Sequence, residues 1–259
     1  MDFVELRSRS GAPERLAVWL EPARGGGGAG TILYLHGFGS RQSGEKATFF
    51  RARALADGFA FCSFDFRGHG ASEGSLRELT LSRNLEDLAT VRAHLAARGH
   101  ERVFLFGSSV GGATALWHAA RHPESTLAAA CIAPAVGMLA GLERSVGAEG
   151  LARWRNAGEL RFRNELGESD LGWALVEDLR DYPVDKLARA LRTPTLVFQG
   201  WDDATVDWRD VADFARRARP GVVTLRLFEG SGHRLVEHLE TLWREASAHF
   251  TGGAAGRGA

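Results

Sequence analysis

Three kinds of residue that together can move an acyl group recur in this chain in order: a serine between glycines, carboxylates in a polar loop, and a histidine in a glycine-bounded loop further on. The apolar run 103–106 leads into Gly107-Ser108-Ser109-Val110-Gly111-Gly112, and an alanine-rich, helix-prone stretch follows. This is G-x-S-x-G in the setting of strand, sharp turn and helix. Only small residues fit on either side of such a serine, and the turn lifts its hydroxyl clear of the sheet edge at a helix N-terminus. The backbone N–H of Val110 then faces a developing oxyanion. A second match, Gly70-Ala71-Ser72-Glu73-Gly74, has no apolar strand running into it and no helix starting at its serine. The bare pattern is weak, and its context selects Ser109.

A serine hydroxyl is a poor nucleophile until a base takes its proton. In this chain order the base follows the acid. Five histidines lie downstream: His118, His122, His233, His238 and His249. His118 and His122 fall on the helix leaving the serine, and Ala119 stands where a zinc protease would need Glu; they read as surface or partly packed side chains. His238 and His249 fall inside the last helix-prone stretch, 234–250. His233 follows the apolar run 223–228 in Glu229-Gly230-Ser231-Gly232-His233, where a loop imidazole can reach the end of the sheet. The competing structural reading is a solvated loop histidine. The acid is expected after the run 195–199, in Gly200-Trp201-Asp202-Asp203-Ala204-Thr205-Val206, where one carboxylate would accept the imidazole N–H and fix its tautomer. Spacing leaves Asp202 and Asp203 both open.

The run 31–35 opens into His36-Gly37-Phe38-Gly39-Ser40, which makes the Phe38 N–H the second oxyanion donor. Two such donors together contribute about 3–7 kcal/mol of transition-state stabilisation. His36, Gly37, Gly107 and Gly111 are expected to support this loop and the serine turn, His36 by hydrogen bonds rather than as a catalyst. Asp65 and Arg67, after the next strand, read as buried partners in a structural turn.

Short apolar runs that alternate with longer helix-prone segments must position these residues. The candidate strands are 3–7, 16–20, 31–36, 59–65, 102–106, 127–133, 195–199 and 223–228. The later ones are nearly continuous in apolar residues, which a strand buried on both faces needs. The candidate helices are 45–57, 80–98, 110–121, 208–218 and 234–250, and the alternation implies right-handed βαβ units in an α/β domain. Residues 137–183 break the alternation with a helix-prone run. They are expected to form a helical cap between the core segments 1–136 and 184–251, at the sheet edge where open α/β sheets bind ligands. Trp154, Phe162 and Trp173 are candidates for an apolar acyl pocket in it. Glycine-rich 25–30 reads as an exposed turn and 252–259 as a flexible tail.

With 259 residues, 44% of them hydrophobic and 25% charged, wholesale disorder is excluded. The 32 basic and 32 acidic residues cancel, which argues against a nucleic-acid partner. Two cysteines, Cys62 and Cys131, build neither a disulfide scaffold nor a Cys-type metal cluster. The longest uncharged stretch, 125–142, contains Pro134 and glycines and reads as strand plus loop rather than as a membrane span. The opening MDFVELRSRSG is charged, without an apolar signal core, so a cytoplasmic location is expected.

Taken together, HGFGS at 36–40, DFRGHGASEG at 65–74, GSSVGG at 107–112, GWDDATV at 200–206 and GSGH at 230–233 resemble the α/β-hydrolase family over nearly the whole chain. The resemblance implies an eight-stranded, mostly parallel sheet flanked by helices, a small helical cap after the sixth strand, and no cofactor or metal. In that family the acid often takes the fourth position of G-x-x-D-x-x-V, which selects Asp203. Within it the chain is similar to small acyl-ester and acyl-thioester hydrolases. GSRQSGEKATFF at 39–50 and DDATVDW at 202–208 resemble mitochondrial palmitoyl-protein thioesterases, and HGFGS with DFRGHG resembles cinnamoyl and feruloyl esterases. The implied substrate is a small-molecule acyl ester or thioester. A serine aminopeptidase or C–C bond hydrolase shares the same triad, and a non-catalytic hydrolase-fold binding protein is the reading from another class. Serine at position 109 disfavours dehalogenases and epoxide hydrolases, which need a carboxylate there. Asp203→Asn is expected to lower ester turnover far more than Asp202→Asn in steady-state assays; a greater loss from Asp202→Asn would reverse the assignment.

Overall fold

Apolar runs of five or six residues leave no polar face for water, so the strands they form must be covered on both sides. A computed structural model describes residues 2–7, 13–23, 28–164 and 167–255. In chain order the elements are β1 (Asp2–Arg7), β2 (Pro13–Glu21), β3 (Thr31–Leu35), α1 (Glu45–Ala56), β4 (Ala60–Phe64), α2 (Leu81–Ala96), β5 (Val103–Ser108), α3 (Val110–Arg121), β6 (Ala129–Ile132), α4 (Met138–Ala157), β7 (Glu159–Asn164), β8 (Gly167–Gly172), α5 (Ala174–Leu179), α6 (Val184–Ala190), β9 (Thr195–Gly200), α7 (Trp208–Arg217), β10 (Val223–Phe228) and α8 (Leu239–Ala255). Eight strands form one sheet in the order β1-β2-β4-β3-β5-β6-β9-β10. The pairs β1/β2 and β2/β4 are antiparallel and the rest parallel.

Alternate residues of each central strand enter opposite cores. Leu33, Leu35 and Leu105 pack with Leu88 and Val91 of α2 and Phe214 of α7. Ile32, Tyr34, Phe104 and Phe106 pack with Phe50 of α1 and with Trp243 and Phe250 of α8. Aromatic contacts seal this second face, with the Phe50 and Phe106 rings 4.4 Å apart and the Phe104 and Phe250 rings 5.1 Å apart. Arg67, after β4, donates to the buried Asp87 of α2 from both its backbone N–H and its Nε. That charge-assisted pair ties the turn to the helix.

The structure corrects several expectations. Over 137–183 the chain is not helical throughout: β7 and β8 pair as an antiparallel hairpin with Arg161 opposite Asp170. The reason is a period of two in Glu159-Leu160-Arg161-Phe162, with apolar side chains alternating with charged ones. The strand β10 is an edge strand, so it is only partly buried and Leu227 is exposed. His238 lies in a single 3-10 turn, Val236–His238, ahead of the last helix. That helix runs through Gly252 to Ala255, four residues into the expected tail; positions 256–259 lie outside the described residues. The same holds for 25–27 of the expected glycine-rich turn. Among the described residues no helix is long and apolar enough to cross a membrane, and Cys62 and Cys131 are both buried free thiols.

Of the two histidines of α3, His118 is buried and His122 exposed. Burial first, then the neighbouring His122 and Arg92, push the His118 imidazole down to about 3 from 6.5. Its folded pKa lies below the unfolded value, so the stability it contributes is complete above pH 6.5 and is lost on acidification towards 3. Through that window the unfolded chain binds a proton that the folded chain refuses, at up to about 1.4 kcal/mol per pH unit. His118→Gln is expected to flatten the acid limb of stability measured by urea unfolding across pH 4–7. An unchanged slope would show that this group does not titrate on unfolding.

Candidate active site

The end of β5 delivers Ser109 into a turn with φ 54° and ψ −119°, a conformation that non-glycine residues seldom adopt. Its neighbours hold it there. The Ser109 N–H donates to the Ile132 carbonyl at 2.8 Å, and its own carbonyl accepts from the Ala113 and Ala135 N–H groups at 3.0 and 3.1 Å. A Cβ at Gly107 would lie 2.5 Å from the Gly111 carbonyl oxygen, and one at Gly111 would lie 2.4 Å from the oxygens of Leu35 and His36. The glycines at these two positions therefore follow from backbone packing against backbone.

His233 arrives on the loop after β10. Its Nε2 is 3.0 Å from Ser109 Oγ and its Nδ1 is 2.8 Å from Asp203 Oδ2. Asp203 is buried, while Asp202 is exposed with its N–H bonded to the Ser231 carbonyl. Asp203 Oδ1 accepts the N–H groups of Thr205 and Val206 at 2.8 and 2.9 Å, and Oδ2 accepts Nε2 of Gln199 at 2.9 Å. Burial works to raise this carboxyl, but the hydrogen bond and charge of His233, then the Val206 and Thr205 amides, outweigh it and hold the group below its ordinary value. The structure thus brings Ser109, His233 and Asp203 into one hydrogen-bonded row and leaves Asp202 out of it.

Two residues that the sequence analysis did not place at the site support the row. Gln199 is fully buried and also donates to the Val206 carbonyl at 3.1 Å. Its signal is an amide side chain after the apolar run Leu196-Val197-Phe198. His238 bonds Ser231 Oγ at 2.7 Å and braces the loop that carries His233. The sequence offers no spacing that would reveal this contact. His249 bonds the Pro194 carbonyl at 3.2 Å, remote from the row in its own packing.

Phe38 and Val110 border one small recess together with His36, Gly37 and His69. His36 accepts the Phe66 N–H at Nε2 (3.1 Å) and donates from Nδ1 to the Gly37 carbonyl (2.8 Å). Burial, then the charge of His69, push its pKa down to about 3, so this imidazole is neutral. Ser72, the serine of the competing motif, accepts the Ala17 N–H and donates to the Asp65 carbonyl, which makes it a structural bridge.

The candidate pocket residues divide. Trp154 is buried, donates to the Leu171 carbonyl at 3.0 Å and stacks edge-on against Trp173, so it packs the insertion instead of facing a substrate. Trp173 donates to Glu177 at 3.1 Å. Phe162 rests on Phe38, with ring centres 5.5 Å apart. A cavity of about 210 Å³ is lined instead by Trp117, Ala135, Val136, Met138, Leu139 and Tyr182, among others. Ala135 is the residue whose N–H holds the Ser109 carbonyl.

Comparison with known proteins follows this geometry. A family model described as serine aminopeptidase, S33, matches residues 28–165. Over 209 residues the chain is 25% identical to the mitochondrial palmitoyl-protein thioesterase ABHD10 of Rattus norvegicus, covering 80% of this chain and 69% of that protein. The structure of mouse alpha/beta hydrolase domain-containing protein 10 aligns with a TM-score of 0.80 at 22% identity, covering 96% of this chain and 98% of that one. Est1E from Butyrivibrio proteoclasticus, with ferulic acid bound, aligns with a TM-score of 0.83 at 19% identity, covering 98% and 100%. The fold is that of the α/β-hydrolases. Gly111→Ala is expected to cost about 2 kcal/mol by overpacking in urea unfolding and to lower turnover sharply, because the new methyl meets the strand that feeds the Phe38 loop. Gly141→Ala, whose Cβ meets nothing within 4 Å, is the neutral control; equal behaviour of the two variants would count against the close-packing argument.

Proposed function

This chain belongs to the serine aminopeptidase S33 family of α/β-hydrolases, and on that premise we propose that it is a serine hydrolase of small acyl esters or thioesters. The observation that carries the reading is the row Asp203–His233–Ser109, at 2.8 and 3.0 Å, beside a recess bordered by Phe38 and Val110. In this reading Ser109 Oγ attacks the acyl carbonyl carbon while His233 Nε2 takes its proton. Asp203 holds the Nδ1–H and stabilises the imidazolium. The N–H groups of Phe38 and Val110 bind the tetrahedral oxyanion. The carbon–oxygen or carbon–sulfur bond to the leaving group breaks as His233 returns the proton, and a water activated by the same histidine hydrolyses the acyl-enzyme. No cofactor is needed for any step.

Residues 137–183 form the cap in this proposal. The cavity of about 210 Å³ beside Ala135 is smaller than the roughly 300–1,000 Å³ of pockets for drug-sized ligands, which supports a small acyl group. The relatives' names point to thioester and feruloyl substrates. The family description favours a second reading, cleavage of aminoacyl amides, on the same row. The cytoplasmic placement also belongs to the proposal, supported by two thiols that remain free. Purified protein is expected to hydrolyse short p-nitrophenyl esters and thioesters faster than long-chain ones and faster than aminoacyl amides. Ser109→Ala is expected to abolish both turnover and labelling by a fluorophosphonate probe. Unchanged turnover in Ser109→Ala would sink the assignment, and preference for the amides would move it to the second reading.

A further inference from the structure

Lys46 and Lys186 are the only lysines in a chain whose other 30 basic residues (32 less 2) are arginines. Lys46 also stands where a cation is unwelcome: in the first turn of α1, against the positive end of the helix dipole, and partly withdrawn from water. Its Nζ donates to Ser108 Oγ at 3.2 Å. Ser108 is buried, directly precedes Ser109, and faces the buried Tyr34. Tyr34 lies on β3, two residues before His36. The Ser108 hydroxyl therefore joins the helix α1, which follows the Phe38 loop in the chain, to the strand that carries Ser109.

We propose that Lys46 is a positioning residue of the active site, whose ammonium acts through Ser108 to clamp the nucleophile turn to α1, the helix that follows the oxyanion loop, and whose deprotonation slackens that clamp. The inference deepens, and rests on, the reading of Ser109 as nucleophile. The charged groups around Lys46 come from every side. Glu45 on α1, Asp203 after β9 and Glu237 in the 3-10 turn attract it, while Arg234, next to His233, repels it. Arg234 is itself paired with Glu45 at 2.7 Å. Tyr34, on the side of Ser108, is a neutral phenol, because burial pushes its hydroxyl above the ordinary range. Burial first, and Arg234 second, bring Lys46 down to about 8 against the pull of the three carboxylates. The sign follows: the ammonium is present below about pH 8 and is lost above it. An arginine would keep its charge throughout this range, so a lysine at this position alone makes the clamp releasable.

The test follows Ser109 labelling by a fluorophosphonate and ester hydrolysis from about pH 6 to about pH 10. The variants are wild type, Lys46→Met, Lys46→Arg and Ser109→Ala. In parallel, an NMR titration of protein labelled at the lysine ε-carbon gives two signals, assigned with Lys186→Arg. Wild type is expected to show a Lys46 midpoint near 8 and a coincident decline in labelling rate and kcat. Lys46→Met is expected to be roughly tenfold slower in kcat, with KM little changed and no alkaline decline. Lys46→Arg is expected to restore the rate at alkaline pH. A wild-type profile flat above pH 8, an alkaline limb unchanged in Lys46→Met, or a Lys46 midpoint equal to that of Lys186 would each overturn the inference. Should Lys46→Met fail to fold, the wild-type titration and Lys46→Arg still decide. If wild type is labelled no more than Ser109→Ala, the reading of the site fails. If labelling depends on Ser109 while the Lys46 variants behave as wild type, only this inference falls.

Discussion

Backbone packs directly against backbone under Ser109, and the rest of the site depends on that contact. The carbonyls of Leu35 and His36 on one side and of Gly111 on the other leave no room for a Cβ at 111 or 107. This brings the first turn of α3 against the end of β3. The proposed nucleophile and both proposed oxyanion donors are thereby fixed relative to one another by main chain, before any side chain contributes. Preorganisation of this kind acts at the moment charge develops, because nothing has to move to meet it. The strained φ of Ser109 is tolerable because three backbone hydrogen bonds and two crowded glycines over-determine it.

The sheet order supplies the other half of the site. β3 and β5 are neighbours, as are β9 and β10. All four run parallel, so the loops bearing Phe38, Ser109, Asp203 and His233 leave the same edge. The loops bearing Asp203 and His233 are held together by a second close approach: a Cβ at Gly200 would stand 2.3 Å from the Ser231 carbonyl. Asp203 keeps its charge in a buried position because four donors surround it, from His233, Gln199, Thr205 and Val206. Removing one of them would leave the carboxylate partly unpaired, which is costly in a site of low dielectric.

What was legible in the sequence follows from how narrow each physical requirement is. A turn that forbids Cβ atoms writes itself as glycine, so residues 107–111 were readable. Buried parallel strands write themselves as largely apolar runs, so β3, β4, β5, β6 and β9 were evident from such runs, and all eight sheet strands have a counterpart among those expected. The hairpin β7–β8 was missed, because Leu160, Phe162 and Leu171 were read with the leucines and tryptophans of the flanking stretches as one helix-prone run, and the charged alternation that marks a strand spans only 159–163. His238 was misplaced within a longer helix, since Leu235, in the left-handed region at φ 48°, breaks the chain without a glycine or proline to announce it. Asp203 and Asp202 are adjacent and chemically identical, so only the inward turn of one of them separates their roles.

The same reasoning explains why the reaction is easier to read than the substrate. A proton relay needs particular atoms at bonding distance, and few residue types supply them. A pocket needs only apolar surface of a certain shape. Trp117, Ala135, Met138, Leu139 and Tyr182 come from three separate stretches of chain, and each is a residue that any packed layer accepts. Trp154 was one of the expected pocket residues, yet its indole N–H is spent on the Leu171 carbonyl inside the insertion. A large aromatic with a polar tip is as useful for closing a small two-strand, two-helix unit as for gripping an acyl chain. The sequence pattern is degenerate where specificity resides, and it is the route of the chain from β6 into α4, past Ala135 and Val136, that gives the cavity its walls.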